Sequence, residues 1–233
     1  MSLPRQILLD TETTGLNAKL GDRVVEVGCI EMRSRRITDN TFHRYLNPER
    51  KSEEGAARVH GISDDFLLDK PKFAEIAKEF VDYIRGAELI IHNAGFDVEF
   101  LDQELSRAGL GKLADHVAGV VDSLAMAREL HPGKRNSLDA LCERYAVNNS
   151  HRTLHGALLD ARLLGEVYLA MTRGQESLVM DEETPAEQAA VAASIDASKL
   201  VVLRATPEEL KTHEKYLDGL AKEAGGKVLW RKA

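Results

Sequence analysis

Cysteine is nearly absent from this chain, with 2 in 233 residues. Cys29 lies in a strand-like run and Cys142 in a helix-like one, with no CxxC pair or histidine-rich partner. That excludes a disulfide-stapled scaffold and a thiolate zinc site. Both thiols read as small buried hydrophobes of a reduced compartment, so a cytoplasmic protein is expected. No apolar run approaches the length of a bilayer span, and no basic-then-apolar leader precedes the first strand pattern. Neither a membrane segment nor a signal peptide is therefore expected. A basic excess is missing too: 31 Lys and Arg stand against 38 Asp and Glu, a formal charge of −7. Proteins that hold nucleic acid by bulk electrostatics carry a basic surface. Any action of this chain on nucleic acid would need positive charge supplied by metal ions or by a partner.

What is present suits a soluble α/β protein. Hydrophobic residues make up 43% and charged residues 30% of the chain, enough for a core and a solvated surface. The length allows one full domain and an appendage. Strand patterns near 5–11, 24–32 and 40–46 are joined by short turn-rich links, which predicts an antiparallel meander. An amphipathic helix is expected from Pro71 to Arg85, closed by Gly86. A strand at 88–92, a helix at about 97–108 and a short element opening at Val120–Leu124 follow. Ser137 is placed to cap a helix over Leu138–Tyr145, and a last helix is expected over about 156–172. Meander followed by strand–helix alternation predicts a mixed sheet flanked by helices.

The informative residues are four carboxylates and a histidine. Asp10 and Glu12 end the apolar run Ile7-Leu8-Leu9. Residues two apart on a strand share a face, so both side chains can aim at one point. Asp97 follows the apolar run at 88–92, at the ends of strands where ligands collect in such folds. Asp160 interrupts an apolar helical stretch. His155, five residues earlier, would be turned by roughly 500° on a helix and so share no face with Asp160. It is expected on the loop or first turn before that helix, mobile and half exposed. Unpaired carboxylates are costly near a core, and a bound cation would offset the cost. Asp122 ends a strand pattern and is read as a structural hydrogen-bonding residue. Lys134 and Arg135 suit either phosphate contact or a solvated loop.

Read in order, Asp10-x-Glu12-Thr13-Thr14-Gly15, His92-Asn93-x-x-Phe96-Asp97 and His155-x-x-x-x-Asp160 resemble the three motifs of the DEDDh family of 3′–5′ exonucleases. The stretches Val59-His60-Gly61-Ile62, 132–141 and 152–161 sharpen the resemblance toward family members that proofread for bacterial replicative polymerases. The resemblance implies a ribonuclease-H-like fold and two divalent ions, Mg²⁺ or Mn²⁺. Asp10, Glu12, Asp97 and Asp160 would hold the ions, and His155 would act as general base. It also implies that Thr13, Leu16, Val59, His60 and Asn93 meet the 3′-terminal nucleotide of a single-stranded or frayed DNA end. No residue visibly reads a 2′-hydroxyl, so the residues alone do not separate DNA from RNA.

Beyond Gly174 the composition changes. A nuclease domain is expected over 1–173, a linker over 174–198 and a docking segment over 199–233. Within the linker, Gln175-Glu176-Ser177-Leu178-Val179-Met180 resembles a sliding-clamp-binding motif, with Gln175, Leu178 and Met180 as anchors. The last segment shows strand patterns at 199–204 and 227–231 around a helix at 207–224. Its roughly 35 residues are too few for a core of their own. Leu229 and Trp230, the single tryptophan, are expected to dock on the polymerase catalytic subunit. A small accessory subunit is a further partner that the resemblance allows, and a nucleoid-associated replisome is the setting. A free-standing RNA or repair trimming enzyme would have no use for such a tail. A pure scaffold would have no reason to concentrate carboxylates.

Overall fold

The computed structural model describes residues 5–150, 152, 154–173 and 205–223. The chain divides into two units, Met1–Leu178 and Val179–Ala233, considered separately. The first is built on five strands: β1 (Gln6–Thr13), β2 (Val24–Arg33), β3 (Arg36–Tyr45), β4 (Glu88–Ile91) and β5 (Gly119–Asp122). Their order across the sheet is β3-β2-β1-β4-β5. β1, β2 and β3 pair antiparallel, whereas β4 lies parallel to β1 and β5 parallel to β4. The mixed sheet and its meander agree with the sequence reading.

β1 occupies the centre because it is apolar on both faces: Ile7, Leu8 and Leu9 are all fully buried. Alternation then sends successive side chains to opposite layers. Ile7 and Leu9 join a core containing Phe80 of α3 (Phe73–Ile84) and Phe100 and Leu101 of α4 (Ala94–Arg107). Leu8 joins Ile30 and Ile90 under Ala161, Leu164 and Val167 of α7 (Ala157–Met171). Burial of side chains of this kind contributes about 1.5–3 kcal/mol each. Asp10 and Glu12 continue the series of Leu8 and so point to the α7 side.

One glycine sets how closely α7 approaches. Gly28 pairs with Asp10 across the β1–β2 ladder. A Cβ at Gly28 would stand 2.3 Å from the Leu158 backbone nitrogen and 2.4 Å from the Ala157 carbonyl carbon. Only a bare backbone lets the first turn of α7 rest on the sheet there.

Three helices went unread in the sequence: α1 (Glu54–His60), α2 (Asp64–Leu67) and α5 (Ser123–Leu130). The first two are shorter than a stretch in which an apolar period can show. α1 is anchored instead by a tertiary bond from the Glu53 N–H to the Thr14 carbonyl at 2.7 Å. α5 is capped by Asp122, whose Oδ1 accepts from the backbone N–H groups of Leu124 at 2.9 Å and Ala125 at 3.3 Å. That is the structural role expected of Asp122.

Two boundaries also differ from expectation. α4 begins at Ala94, not near 97, because Asn93 takes a left-handed conformation (φ 66°) that turns the chain directly from β4 into the helix. β3 begins at Arg36 because its exposed edge position permits the polar sequence Arg36-Ile37-Thr38-Asp39-Asn40-Thr41 that hid it. α6 (Leu138–Tyr145) has the expected Ser137 cap, which accepts from the Ala140 N–H at 3.3 Å.

In the second unit the described residues hold α8 (Pro207–Glu223), close to the expected 207–224. Its start is a reciprocal cap: the Thr206 hydroxyl accepts from the Glu209 N–H, and the Glu209 carboxylate accepts from the Thr206 N–H. The strands expected at 199–204 and 227–231, the whole linker with Gln175, Leu178 and Met180, and Leu229 and Trp230 lie outside the described residues.

Candidate active site

The β4 ladder with β1 ends at the Leu9–Ile91 pair. Asp10 to Thr13 therefore run on past the end of β4, paired only with β2. The gap beyond the parallel strand ends is a cleft of about 860 Å³. Asp10 and Glu12 reach it from the sheet, Asp97 from the first turn of α4, and Asp160 from the first turn of α7. The two helices pack on opposite faces of the sheet, and each contributes one acid at the same end. Every residue expected from sequence to serve catalysis, metal or nucleotide lines this cleft: Thr13, Leu16, Val59, His60, Asn93 and His155 join the four acids.

The acids are crowded and desolvated. Asp97 is 3% exposed and Asp160 3% exposed. Burial, then the charges of Asp97, Glu12 and Asp160, push the Asp10 carboxyl well above its usual range. Burial and Asp160 raise Glu12 to about 8. Burial raises Asp97 to about 7, against a 2.7 Å hydrogen bond donated by the Thr11 hydroxyl. Thr11 belongs to the opposite face of β1, so this bond ties α4 to the strand carrying Asp10. Four acids facing one another with this little solvent could hold cations. Ligand atoms of Glu12, His155 and Asp160 all lie within 4.8 Å of one another, and a set of carboxylate oxygens beside one imidazole could take a divalent ion.

His155 stands immediately before α7, as expected, on the residue preceding the Gly156 N-cap. Its side chain is 44% exposed. Its N–H donates to the Val59 carbonyl at 3.1 Å. The unread helix α1 thus fixes the loop of the histidine and carries Val59 and His60 to the cleft. Burial, then the neighbouring Arg152, lowers the pKa of His155.

Arg152 is the participant the sequence reading passed over, although it opens the stretch 152–161 that carries His155 and Asp160. Its side chain is 6% exposed. It grips Asp160 bidentately, with Nε–Oδ1 2.6 Å and Nη2–Oδ2 2.7 Å. It also donates from Nη1 to Asp139 at 2.6 Å and from Nη2 to Nδ1 of His155 at 2.9 Å. An arginine three residues before a proposed base, in a cleft short of positive charge, was the available signal.

The residues expected to meet the nucleotide divide by exposure. Leu16 is 81% and Val59 46% exposed, an apolar rim. His60 is buried, its Nδ1 accepting from the Ile62 N–H at 3.0 Å, and burial lowers its pKa. The Asn93 N–H donates to Asp122 at 3.2 Å, which braces the turn leading to Asp97.

This acid-lined cleft at the end of a mixed sheet defines a class. The chain matches the exonuclease family over residues 7–168 and belongs to it. Exonuclease X, solved with 5′-overhanging duplex DNA, superposes with TM-score 0.58 at 23% identity, covering 73% of this chain and 93% of that one. The nuclease domain of 3′hExo, a DEDDh member bound to rAMP, gives TM-score 0.63 at 15% identity, covering 73% and 92%. The fold is ribonuclease-H-like, as the resemblance implied.

Sequence relatives narrow the class. DNA polymerase III subunit epsilon of Escherichia coli is 53% identical, covering 99% of this chain and 98% of that protein. The Haemophilus influenzae subunit is 46% identical, covering 98% and 95%. The chain belongs to the family of DNA polymerase III epsilon subunits, and it is a metal-dependent 3′–5′ exonuclease.

Proposed function

We propose that this chain is the proofreading exonuclease of a bacterial replicase, removing mispaired 3′-terminal nucleotides from DNA as nucleoside 5′-monophosphates. The observation that supports it most is the convergence of Asp10, Glu12, Asp97, Asp160 and His155, from four separate segments, on one cleft. In this reading Asp10, Glu12, Asp97 and Asp160 hold two Mg²⁺ or Mn²⁺ ions. When bound, such ions activate the attacking water and stabilise the leaving 3′ oxygen. His155 accepts the proton of that water, a role suited to a half-exposed imidazole beside the acids. Leu16 and Val59 take the apolar face of the terminal nucleotide, His60 and the Thr13 backbone flank it, and Asn93 keeps the Asp97 turn in place. Contact through an apolar rim is tolerant of sequence. Selection for mismatches then rests on fraying, which is least costly at an unpaired end.

The domain organisation proposed is a nuclease over 1–173, a linker over 174–198 and a polymerase-binding segment over 199–233. Gln175, Leu178 and Met180 would anchor the sliding clamp, and Leu229 and Trp230 the polymerase catalytic subunit. A tether of this kind raises the local concentration of an acidic nuclease at the primer end. The setting is the bacterial cytoplasm, and among the described residues no helix is long and apolar enough to cross a membrane.

A timed digest of 3′-labelled single-stranded DNA and RNA with Mg²⁺ tests the reading. Asp10→Ala should abolish cleavage while the fold persists, and wild-type-like digestion by that variant would refute the metal cage. A chain truncated after Met180 should digest normally yet no longer co-purify with the polymerase. Unchanged polymerase affinity would refute the tail's role.

A further inference from the structure

Arg152 holds two groups that the proposed reaction needs free. Its fork covers both oxygens of Asp160, the carboxylate offered to a cation together with Glu12 and His155. The same guanidinium meets Nδ1 of His155 at 2.9 Å. Arginine has donors only, so Nδ1 must be the acceptor there and the ring proton of the neutral imidazole sits on Nε2. A neutral imidazole has one lone pair, and Arg152 occupies it. In this arrangement His155 has no lone pair left for a water proton.

We infer that Arg152 is an internal stand-in for the metal: it neutralises Asp160 and locks His155 in the metal-free protein, and metal loading displaces it from both. The inference rests on reading the acids as a metal cage. Three observations carry it. The Arg152 side chain is nearly buried, at 6% exposed, with its guanidinium on Asp160, so it supplies positive charge where the cage most lacks it. Its contact with Asp160 is a bidentate one between desolvated groups, and such a pair is kept until something of higher charge competes for the oxygens. Finally, Arg152 has somewhere to go. Its third arm lies on Asp139, which is 56% exposed, so the guanidinium can keep that anchor while it turns away from Asp160. No other described basic side chain is bonded to Asp10, Glu12, Asp97 or Asp160, apart from His155 at 3.5 Å from Asp160. The device would keep the base inactive until metal is bound, and it would relieve the repulsion among the acids in the meantime.

Two measurements on the full chain test this. In the first, Mn²⁺ is titrated calorimetrically into wild type, Arg152→Lys and Arg152→Gln. If the locked arrangement fills about 90% of the metal-free population, its loss should tighten Mn²⁺ binding by roughly tenfold. Arg152→Lys, which keeps the charge but not the fork, should fall between the two. Unchanged or weaker Mn²⁺ affinity in a folded Arg152→Gln would overturn the inference.

The second measurement needs no folded variant. The Arg152 Nε–H resonance of ¹⁵N-labelled wild type is followed during Mg²⁺ titration, together with the Nδ1 resonance of His155. Both should shift over the concentration range in which Mg²⁺ binds. Saturating Mg²⁺ with the Arg152 signal unmoved would overturn this inference alone. A wild-type protein that binds neither ion would overturn the metal cage as well.

Discussion

Replacing Gly28 by alanine should impair the enzyme from a position that touches no substrate. The methyl would meet the Leu158 nitrogen at 2.3 Å and the Ala157 carbonyl carbon at 2.4 Å, where ordinary contact begins at 3.4 Å. Both obstacles are backbone, so no side chain can swing aside, and the first turn of α7 must retreat by about 1 Å. Overpacking of this kind costs about 1–3 kcal/mol, partly offset by ~0.4–1 kcal/mol from the smaller entropy of an unfolded alanine. A net loss of about 1–2 kcal/mol lowers Tm by about 2–8 °C for a domain of this size. The larger effect falls on catalysis. Asp160 sits in that first turn, and Asp10 is the direct cross-strand partner of Gly28. A displacement near 1 Å therefore opens the cage between them, and misplacement on that scale costs on the order of 10²-fold in rate. Thermal unfolding and timed single-strand digestion, with Gly119→Ala as control, check both numbers, since nothing lies within 4 Å of a Cβ at Gly119. Wild-type Tm and wild-type rate in Gly28→Ala would refute the close-approach argument.

Other perturbations have definite signs. Glu12 is raised from 4.5 to about 8, so the metal-free folded protein holds a proton that the unfolded chain has already released. The stability from this group is fully present below 4.5 and is lost as pH rises through about 8. Metal-free Tm should drift down across that window, and saturating Mn²⁺ should remove the drift, because metal binds the ionised carboxylates. A flat metal-free profile would contradict the crowding of the acids. His155→Ala should lose about 10²–10⁴-fold in rate with Mn²⁺ still bound. A calorimetric loss of affinity matching the rate loss would make His155 a ligand. Asp122→Ala, which removes the α5 cap and the brace on Asn93, should cost about 1–2 kcal/mol in denaturant unfolding, and no change would assign the Asp122 bonds no energetic role.

Several features were determined by the sequence alone. Ile7-Leu8-Leu9 ran into Asp10 and Glu12, and apolar-on-both-faces followed by two charges has one comfortable place in a mixed sheet, a central strand ending at a cleft. His155 fell on the loop before α7 because its turn relative to Asp160 forbade a shared helix face. Ser137 was legible as a cap, and Asp122 as a structural hydrogen-bonding residue, because such bonds are a local matter of one side chain and the next two or three N–H groups.

Tertiary packing decided the rest. α1 has no apolar stripe to reveal it and is held by Glu53 on Thr14 and by His155 on Val59, contacts between segments far apart in the chain. α4 starts early because Asn93 turns left-handed, which nothing in its neighbours requires. Arg152 reads as one more surface charge until Asp139, Asp160 and His155 surround it. Periodicity records which side of an element is buried, a property of single residues. Whether two charges meet, and how near a helix can lie to a sheet, depends on distances set only when the layers close.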